Sequence, residues 1–431
     1  MPYYLIESGY SMKCRLYPNK TQAKAIDDAI YAVQSFYNCT LYEIFNNFAC
    51  CVEKPKKEGD GVVHFLKPGD LAKAERKNRL AEEHPAQKMC PAKAIASSVY
   101  GVTVDIKKSI DVHKPIEFQK PRYYSKSHPR TSYGTQETFS KLTIGDNENV
   151  MWFEGNRIGK VKMRGWNKKI RFDPDGMIDF PTFAAQNKRA NFGCTISRDN
   201  CGDYWISFKL QNVYKWMADA PETEVGVDVG VKDLAITSDG TKYQNKHFAK
   251  LEKKRKAIIN RRLSSRWGWS NIKFREAHKK DTTIECSIGY NREKLKLAKL
   301  SRKIARKREL YNHEVSRHIV ENANFIGVES LNVKGMAENK HLAYDIADVA
   351  IRDLLTDINY KAEWHGRTCY AIGQWTPSSK TCSVCGWKYD DLKLSTRSWT
   401  CPACGTRHDR DVNAAKNILR FAKEQREKEM K

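Results

Sequence analysis

Two thiol pairs, Cys382-Ser-Val-Cys385 and Cys401-Pro-Ala-Cys404, stand fifteen residues apart, and His408-Asp-Arg-Asp-Val-Asn-Ala-Ala415 follows at once. Paired CxxC knuckles at that distance suit tetrahedral zinc, and four thiolates leave no open position for catalysis. Cys382, Cys385, Cys401 and Cys404 are therefore expected to hold a structural Zn2+. Carboxylates occur in three other telling places. Glu224-Val-Gly-Val-Asp-Val-Gly-Val231 alternates as a strand, with the valines on one face and Gly226, Asp228 and Gly230 on the other. The two glycines leave room beside Asp228 for a metal ion and a close-approaching backbone. Asn324-Phe-Ile-Gly-Val-Glu-Ser-Leu331 repeats the device, with Gly327 and Glu329 sharing a face. Asp411 precedes a good helical pattern, Val412 to Leu419.

Each carboxylate has a plain alternative. Asp228 could be a strand-end aspartate satisfied by backbone donors, and Asp411 a simple helix N-cap. As a set they fit phosphodiester hydrolysis by two metal ions, which needs acidic side chains around cations about 3.5–4 Å apart. Magnesium prefers such oxygen ligands and keeps waters, one of which can attack. Two strand carboxylates and one at a helix start are the arrangement of an RNase H-like sheet. Asp233, Asp239 and Asp409 rank below these three.

The elements that must position these groups are legible in outline. Residues 3–17 read as a strand, Thr21 as a cap, and Ala23, Ile26, Ile30, Val33, Phe36 and Tyr37 as one face of a helix running to about 45. Further helices are expected near 69–83 and 91–112. From 116 to 215, short β-branched and aromatic runs suggest an antiparallel barrel or sandwich closed with the N-terminal strand. A strand at 224–231, a turn at Ser238-Asp239-Gly240 and a short strand follow. A long cationic stretch comes next, in which Leu295, Leu297, Leu300, Ile304 and Leu310 suggest one apolar helical stripe.

Charge bounds the partners. Lys and Arg number 76 against 51 Asp and Glu, a formal net charge of +25 over 431 residues. That surplus favours a polyanion, through counterions released when phosphates are neutralised. Between Lys246 and Arg308 the balance is 22 cations to five acids. Trp267, Trp269, Phe274 and Tyr290 are interleaved there, as on a track along a phosphate backbone. No segment approaches the roughly 20 apolar residues of a membrane span and the N-terminus lacks a leader pattern, so no membrane partner and an intracellular, cytoplasmic location are expected. Thirteen cysteines in a reducing compartment read as thiols or ligands. Cys50, Cys51 and Cys90 with His64 or His84 could hold a second zinc, although their spacing fits no common pattern.

Five segments then occur in order: Gly226-Val-Asp-Val-Gly-Val-Lys-Asp-Leu-Ala-Ile236, Val328-Glu-Ser-Leu-Asn-Val-Lys-Gly-Met336, Tyr360-Lys-Ala-Glu-Trp-His-Gly366, Pro377-Ser-Ser-Lys-Thr-Cys-Ser-Val-Cys-Gly386 and His408-Asp-Arg-Asp-Val-Asn-Ala-Ala415. Together they resemble the TnpB proteins of IS200/IS605-type transposons and the miniature type V CRISPR effectors related to them. The resemblance implies a multidomain α+β chain: a wedge-type β-barrel (1–20 and 116–215) with an inserted helical recognition lobe (21–115), an RNase H-like α/β RuvC domain (216–375 and 410–431) and an inserted zinc ribbon (376–409). It implies an RNA-guided DNA endonuclease with a guide RNA and target double-stranded DNA as partners; the sequence leaves the oligomeric state open, a monomer being favoured. Asp228, Glu329 and Asp411 would be the catalytic carboxylates, holding two Mg2+ ions (or Mn2+) with Asp228 bridging, and cleavage would leave 5′-phosphate and 3′-hydroxyl ends. A short flanking motif would be read by the helical lobe, with Lys93 and Ser97 the candidates. Lys253, Lys254, Arg255, Arg261 and Arg262 are the candidate nucleic-acid contacts. The alternatives are a CRISPR effector, a transposase or resolvase joining strands with the same carboxylates, and a nuclease-inactive RNA-guided repressor.

Overall fold

From Tyr10 to Leu16 every second side chain is buried and the ones between face water, the signature of a half-buried strand. The computed structural model describes residues 3–6, 10–46, 51–52, 64–65, 74–85, 87, 94, 101–102, 105, 122–125, 129–135, 141–144, 151–155, 158–166, 170–186, 194–216, 221–277, 287–332, 338, 343–390, 392 and 396–430. Contacts divide the chain into two units, Met1–Trp216 and Met217–Lys431.

The expected single strand at 3–17 is two strands, Tyr3–Ile6 (β1) and Tyr10–Tyr17 (β2), which enter different sheets. Helix Lys20–Asn46 (α1) buries Ile26, Ile30, Val33, Phe36 and Tyr37, as their spacing required. Its cap is Asn19 rather than Thr21. The Gln22 N–H donates to Asn19 Oδ1 (2.9 Å) and Gln22 Oε1 accepts from the Asn19 N–H (3.0 Å), a reciprocal capping box. Cys51–Val52 (β3) pairs with His64–Phe65 (β4), and Ala74–Glu83 (α2) follows. The strands from Ser132 onward are Ser132–Thr135 (β5), Lys141–Ile144 (β6), Met151–Gly155 (β7), Gly159–Arg164 (β8), Ile170–Arg171 (β9), Cys194–Arg198 (β10), Tyr204–Leu210 (β11) and Val213–Trp216 (β12), with Phe180–Gln186 (α3) between β9 and β10. They form a seven-stranded sheet, β5-β10-β11-β2-β8-β7-β6, and a three-stranded one, β1-β12-β9. The N-terminal β2 thus fills the middle of the larger sheet, antiparallel to β11 and β8. Lys93, Ser97, Cys50 and Cys90 lie outside the described residues, as do the side chains of Cys51 and His64, and with them the motif-reading and second-zinc expectations.

The second unit is built on a five-stranded sheet. Glu224–Val229 (β13), Asp233–Thr237 (β14) and Lys242–Gln244 (β15) form an antiparallel meander. Its turn closes through the Gly240 N–H to the Thr237 carbonyl (2.9 Å), and Gly240 adopts a φ of 93° that other residues rarely take. Phe248–Leu251 (α4), Lys253–Ala277 (α5) and Ile288–Glu321 (α6) follow. Phe325–Glu329 (β16) then runs parallel to β13, in register Gly226–Gly327 and Val227–Val328. After Ala343–Val349 (α7) and Ile351–Trp364 (α8), strand Thr368–Ile372 (β17) adds in parallel, with Ile372 opposite Glu329. A two-stranded hairpin, Ser398–Thr400 (β18) and Arg407–Asp409 (β19), leads directly into helix Arg410–Glu429 (α9).

Alternation along β13 and β16 decides which helix covers which face. Val227, Val229, Ile326 and Val328 pack against Val315, Ile319 and Val320 of α6 and Leu354, Ile358 and Ala362 of α8. On the opposite face α9 crosses the glycines. A Cβ on Gly226 would lie 2.0 Å from the Ala415 carbonyl oxygen, and one on Gly327 would meet Ala422 Cβ at 3.0 Å. Glycine is needed here for helix–sheet approach. Gly226→Ala must displace the α9 backbone, so the second unit is expected to lose more than about 3 kcal/mol or fail to fold. Gly327→Ala should cost less, because its nearest contacts, Ala422 Cβ at 3.0 Å and the Ile418 carbonyl oxygen at 3.1 Å, demand a smaller shift than the 2.0 Å contact at Gly226. Thermal melts of the two variants test the ranking. In α6 the buried stripe is Glu293, Leu300 and Ile304, while Leu295 and Leu310 face solvent. Glu293 is buried because Lys296 (2.8 Å) and Arg266 (3.9 Å) pair with it. Among the described residues no helix is long and apolar enough to cross a membrane.

Candidate active site

The three carboxylates arrive from three elements of the second unit. Asp228 is the penultimate residue of β13, and Glu329 ends β16 one step past the Val227–Val328 pair. Asp411 stands in the first turn of α9. The same glycine contacts that seat Ala415 over Gly226 hold Asp411, one turn earlier, near Asp228. Electrostatics registers the convergence. Burial, then the neighbouring Asp411 and Glu329 charges, push the Asp228 carboxyl up to about 8, against a smaller pull from Arg410. Burial also raises Glu329. A cavity of about 140 Å³ opens here, lined by Asp228, Asp233, Lys232, Arg397 and Asp411 among others. Crowded carboxylates at a cavity, one of them held protonated by its neighbours, are a donor set that a hard divalent cation would relieve.

Asp411 is not the helix cap. Asp409 takes that role, its Oδ1 accepting the N–H groups of Asp411 (3.0 Å) and Val412 (3.2 Å), while its Oδ2 accepts from Lys242 Nζ at 2.6 Å. The Asp411 side chain is thereby left facing the cavity, with Arg397 Nη1 3.4 Å from its Oδ2. Asp239 is spent on the β14–β15 turn, accepting from the Thr237 hydroxyl and the Thr241 N–H. Asp233 lines the cavity beside Asp228. Two site residues escaped sequence reasoning. Arg397 sits in a loop with no spacing signal. The capping role of Asp409 was readable in the Asp-x-Asp pair, since Asp two residues ahead of a helix's first acid is a common cap.

The zinc expectation has a matching geometry. The Sγ atoms of Cys382, Cys385, Cys401 and Cys404 all lie within 4.8 Å of one another. Cys382 and Cys401 are buried, while Cys385 and Cys404 are exposed. Thr406, through its hydroxyl and then its N–H, brings the Cys404 thiol down to about 6, which favours the thiolate a metal needs. His408 Nε2 lies 3.1 Å from Cys382 Sγ, where it can donate to the thiolate and fix its orientation. Its ring packs against Trp399, which rests in turn on Tyr389. This ribbon is bolted to α9. Asn413 Nδ2 donates to the Thr381 carbonyl (2.8 Å), Asn413 Oδ1 accepts the Ser383 N–H (2.9 Å), and Asn417 Nδ2 donates to the Ser378 carbonyl (2.8 Å).

The cationic segment is sorted by the α5–α6 pairing. Arg255, Ile258, Ile259 and Arg262 on α5 face Lys296, Lys299, Leu300 and Lys303 on α6 across a groove of about 490 Å³. Both sets follow the i, i+3, i+4, i+7 spacing of one helical face. Of the five predicted contacts, Arg255 and Arg262 line this groove. Lys253, Lys254 and Arg261 lie elsewhere on the helix, with the Lys253 ammonium 5.8 Å from the Tyr344 ring centre. The side chains of Trp267, Trp269 and Phe274 fall outside the described residues.

Known proteins share these features. Residues 215–340 match the OrfB_IS605 family, described as "Probable transposase", and residues 352–418 match the "Cas12f1-like, TNB domain" family. A Streptomyces pristinaespiralis protein described as "Putative RNA-guided DNA endonuclease" is 33% identical over 225 residues, 52% of this chain and 51% of that protein. The "CRISPR-associated endodeoxyribonuclease Cas12f1" of Sulfoacidibacillus thermotolerans is 28% identical over 200 residues, 45% and 44% of the two chains. The chain spans about half the length of the curated relatives it matches. Among solved structures, the protein in a Cas12f1-sgRNA-target DNA complex shares the fold, with a TM-score of 0.52 and 15% identity over 93% of this chain and 83% of that one. Residues 215–340 and 352–418 therefore carry the two domain types found by these matches, and about half of the chain is similar to proteins described as a putative RNA-guided DNA endonuclease, as TnpB-like and as Cas12f1.

Proposed function

We propose that this protein is an RNA-guided DNA endonuclease of the transposon-encoded TnpB type, with a RuvC-like site at Asp228, Glu329 and Asp411. The observation that carries the reading is the convergence of these carboxylates from two parallel strands and one helix start, with Asp228 pushed up to about 8 by burial and then by the Asp411 and Glu329 charges. Bound Mg2+ ions would supply an activated water and charge stabilisation at the scissile phosphate. The chain's own residues do the rest. Asp228, Glu329 and Asp411 hold the cations, and Asp228 must shed its proton to do so. Asp409 and Lys242 fix the backbone of Asp411, and Arg397 offers its guanidinium beside Asp411, where a phosphate oxygen would need a counter-charge. The four cysteines hold zinc as a structural staple that carries Arg397 and braces α9. On this reading the domains are those the sequence suggests: a wedge-type barrel with an inserted helical lobe, then the nuclease domain with its ribbon.

Guidance would come from RNA held partly in the α5–α6 groove, whose cations suit a phosphate backbone and whose Ile258 and Leu300 floor suits sugar faces. The reading is tested by purifying the chain from its host, sequencing the RNA that accompanies it and offering a duplex matched to that RNA beside varied flanking sequences. Matched cleavage in Mg2+ that vanishes in Asp228→Ala, with RNA still bound, is expected. Absence of a defined RNA sinks the guided reading. Replacing Arg255 and Arg262 with alanine should lower the slope of RNA affinity against salt by about two, while Lys253→Ala/Arg261→Ala should change it less. Filter binding across salt concentrations reads both. The description of the 215–340 family favours one second reading, strand transfer by the same carboxylates. Joined products from transposon-end DNA, rather than breaks alone, would favour it.

A further inference from the structure

Trp375 is the most exposed large hydrophobic side chain among the described residues, at 90%. Its presentation is rigid. The turn Gly373–Thr376 closes through the Thr376 N–H to the Gly373 carbonyl (3.0 Å), and Pro377 restricts the next backbone dihedral. Beyond it, the Ser378 N–H donates to the Thr376 carbonyl (2.8 Å) and Asn417 of α9 holds the Ser378 carbonyl. Before it, β17 ends at Ile372, which stands opposite Glu329 and whose carbonyl accepts the Ser330 N–H at 3.0 Å. Three chain steps, at most about 10 Å between Cα atoms, separate Trp375 from the partner of a candidate catalytic carboxylate.

A protein-docking tryptophan needs an apolar surround to exclude water. Here the neighbours in the turn are Gly373, Gln374 and Thr376, so the indole stands alone on a polar stalk. An exposed aromatic plane on the chain that leads from β17, near a cavity where Lys232 and Arg397 stand with the carboxylates, fits a flat, hydrated partner: the face of an unpaired nucleobase. We propose that Trp375 is a stacking platform for a base of the single-stranded DNA led to the carboxylates. It rests on the nuclease reading for its context but makes a separate binding claim. Stacking of this kind is indifferent to base identity, because every base has a π-face, so the platform would position a strand without selecting its sequence.

The test uses the full chain with its accompanying RNA, zinc present and magnesium absent, and two labelled single strands unmatched to the guide. One carries normal bases and the other, of equal length and charge, carries abasic residues. Wild type should bind the base-bearing strand about tenfold more tightly than the abasic one. Trp375→Ala should lose that preference while holding the abasic strand like wild type, and Trp375→Phe should keep most of it. A preference retained in Trp375→Ala overturns the proposal. So does a wild type with no preference, or an equal loss on both strands. Cleavage of matched duplex by the same preparations in magnesium separates the two readings. A wild type that stacks but never cuts sinks the nuclease reading alone, and one that cuts without a base preference sinks the platform alone.

Discussion

Asp228→Asn is expected to abolish cleavage of matched DNA and, in the same preparation, to raise the melting temperature of the magnesium-free protein. The two effects share a cause. With its carboxyl pushed up to about 8, ionised Asp228 is destabilising in the fold by burial and by repulsion from Asp411 and Glu329. The sign is the reverse of a salt-bridged aspartate. Below the ordinary aspartate value near 3.8 the group is neutral in folded and unfolded chains alike and contributes nothing. Between that value and about 8 the unfolded chain ionises while the folded one does not, so stability falls as pH rises and then levels off. At pH 7 the penalty is up to about 4 kcal/mol, from roughly 1.4 kcal/mol per pH unit. Asparagine keeps the shape and carries no charge, so it should recover several degrees at pH 7 and none near pH 3.5. Calorimetric melts at both pH values, with zinc retained, read this. An asparagine variant that melts below wild type at pH 7 would sink the account. Magnesium affinity of the wild type should also strengthen as pH rises toward 8, because the cation must displace a proton.

Replacing Cys401 with serine, or stripping zinc with a strong chelator, should reduce cleavage more than a hundredfold even in saturating magnesium. The ribbon holds no magnesium ligand, so this loss must travel through structure. Among the described residues its core is Cys382, Leu392, Trp399 and Cys401, with Tyr389 against them, a small cluster that needs its metal to fold. When it opens, Arg397 leaves Asp411, and the Thr381, Ser383 and Ser378 partners of Asn413 and Asn417 disperse. The first turns of α9 then lose their brace. Elemental analysis should find one zinc per chain in wild type and none in the variant, with rescue of the chelated wild type by added zinc. Full activity in a zinc-free chain would show that α9 seats itself without the ribbon.

What could be read from residues alone followed periodicity and spacing. The helical face from Ile26 to Tyr37 is buried as a 3.6-residue repeat demands, and β13 presents alternate faces to different helices. The four cysteines sit in one cluster because two CxxC knuckles permit little else. The failures were of two kinds. Local competition was missed at a helix start, where Asn19 rather than Thr21 caps α1, since a cap is chosen by backbone geometry that residue type alone does not fix. Tertiary pairing was missed in the cationic stretch, where Glu293 is buried because Lys296 and Arg266 neutralise it and Leu295 is left outside. The role of Gly226 and Gly327 was half legible. Their spacing announced a close approach, but the approaching body, α9, lies far away in sequence.

That helix has a consequence in time. A ribosome releases Asp228, Glu329 and Asp411 in that order, over 183 residues (411 minus 228), and at about 5–20 residues per second the last follows the first by roughly ten to forty seconds. Once Glu321 has been released both helices of the α5–α6 pair have been made, while Gly226 and then Gly327 still lack the helix that covers them. The sheet and its helix pair therefore stand on the nascent chain before it owns a complete set of carboxylates, and the site closes only with the last helix.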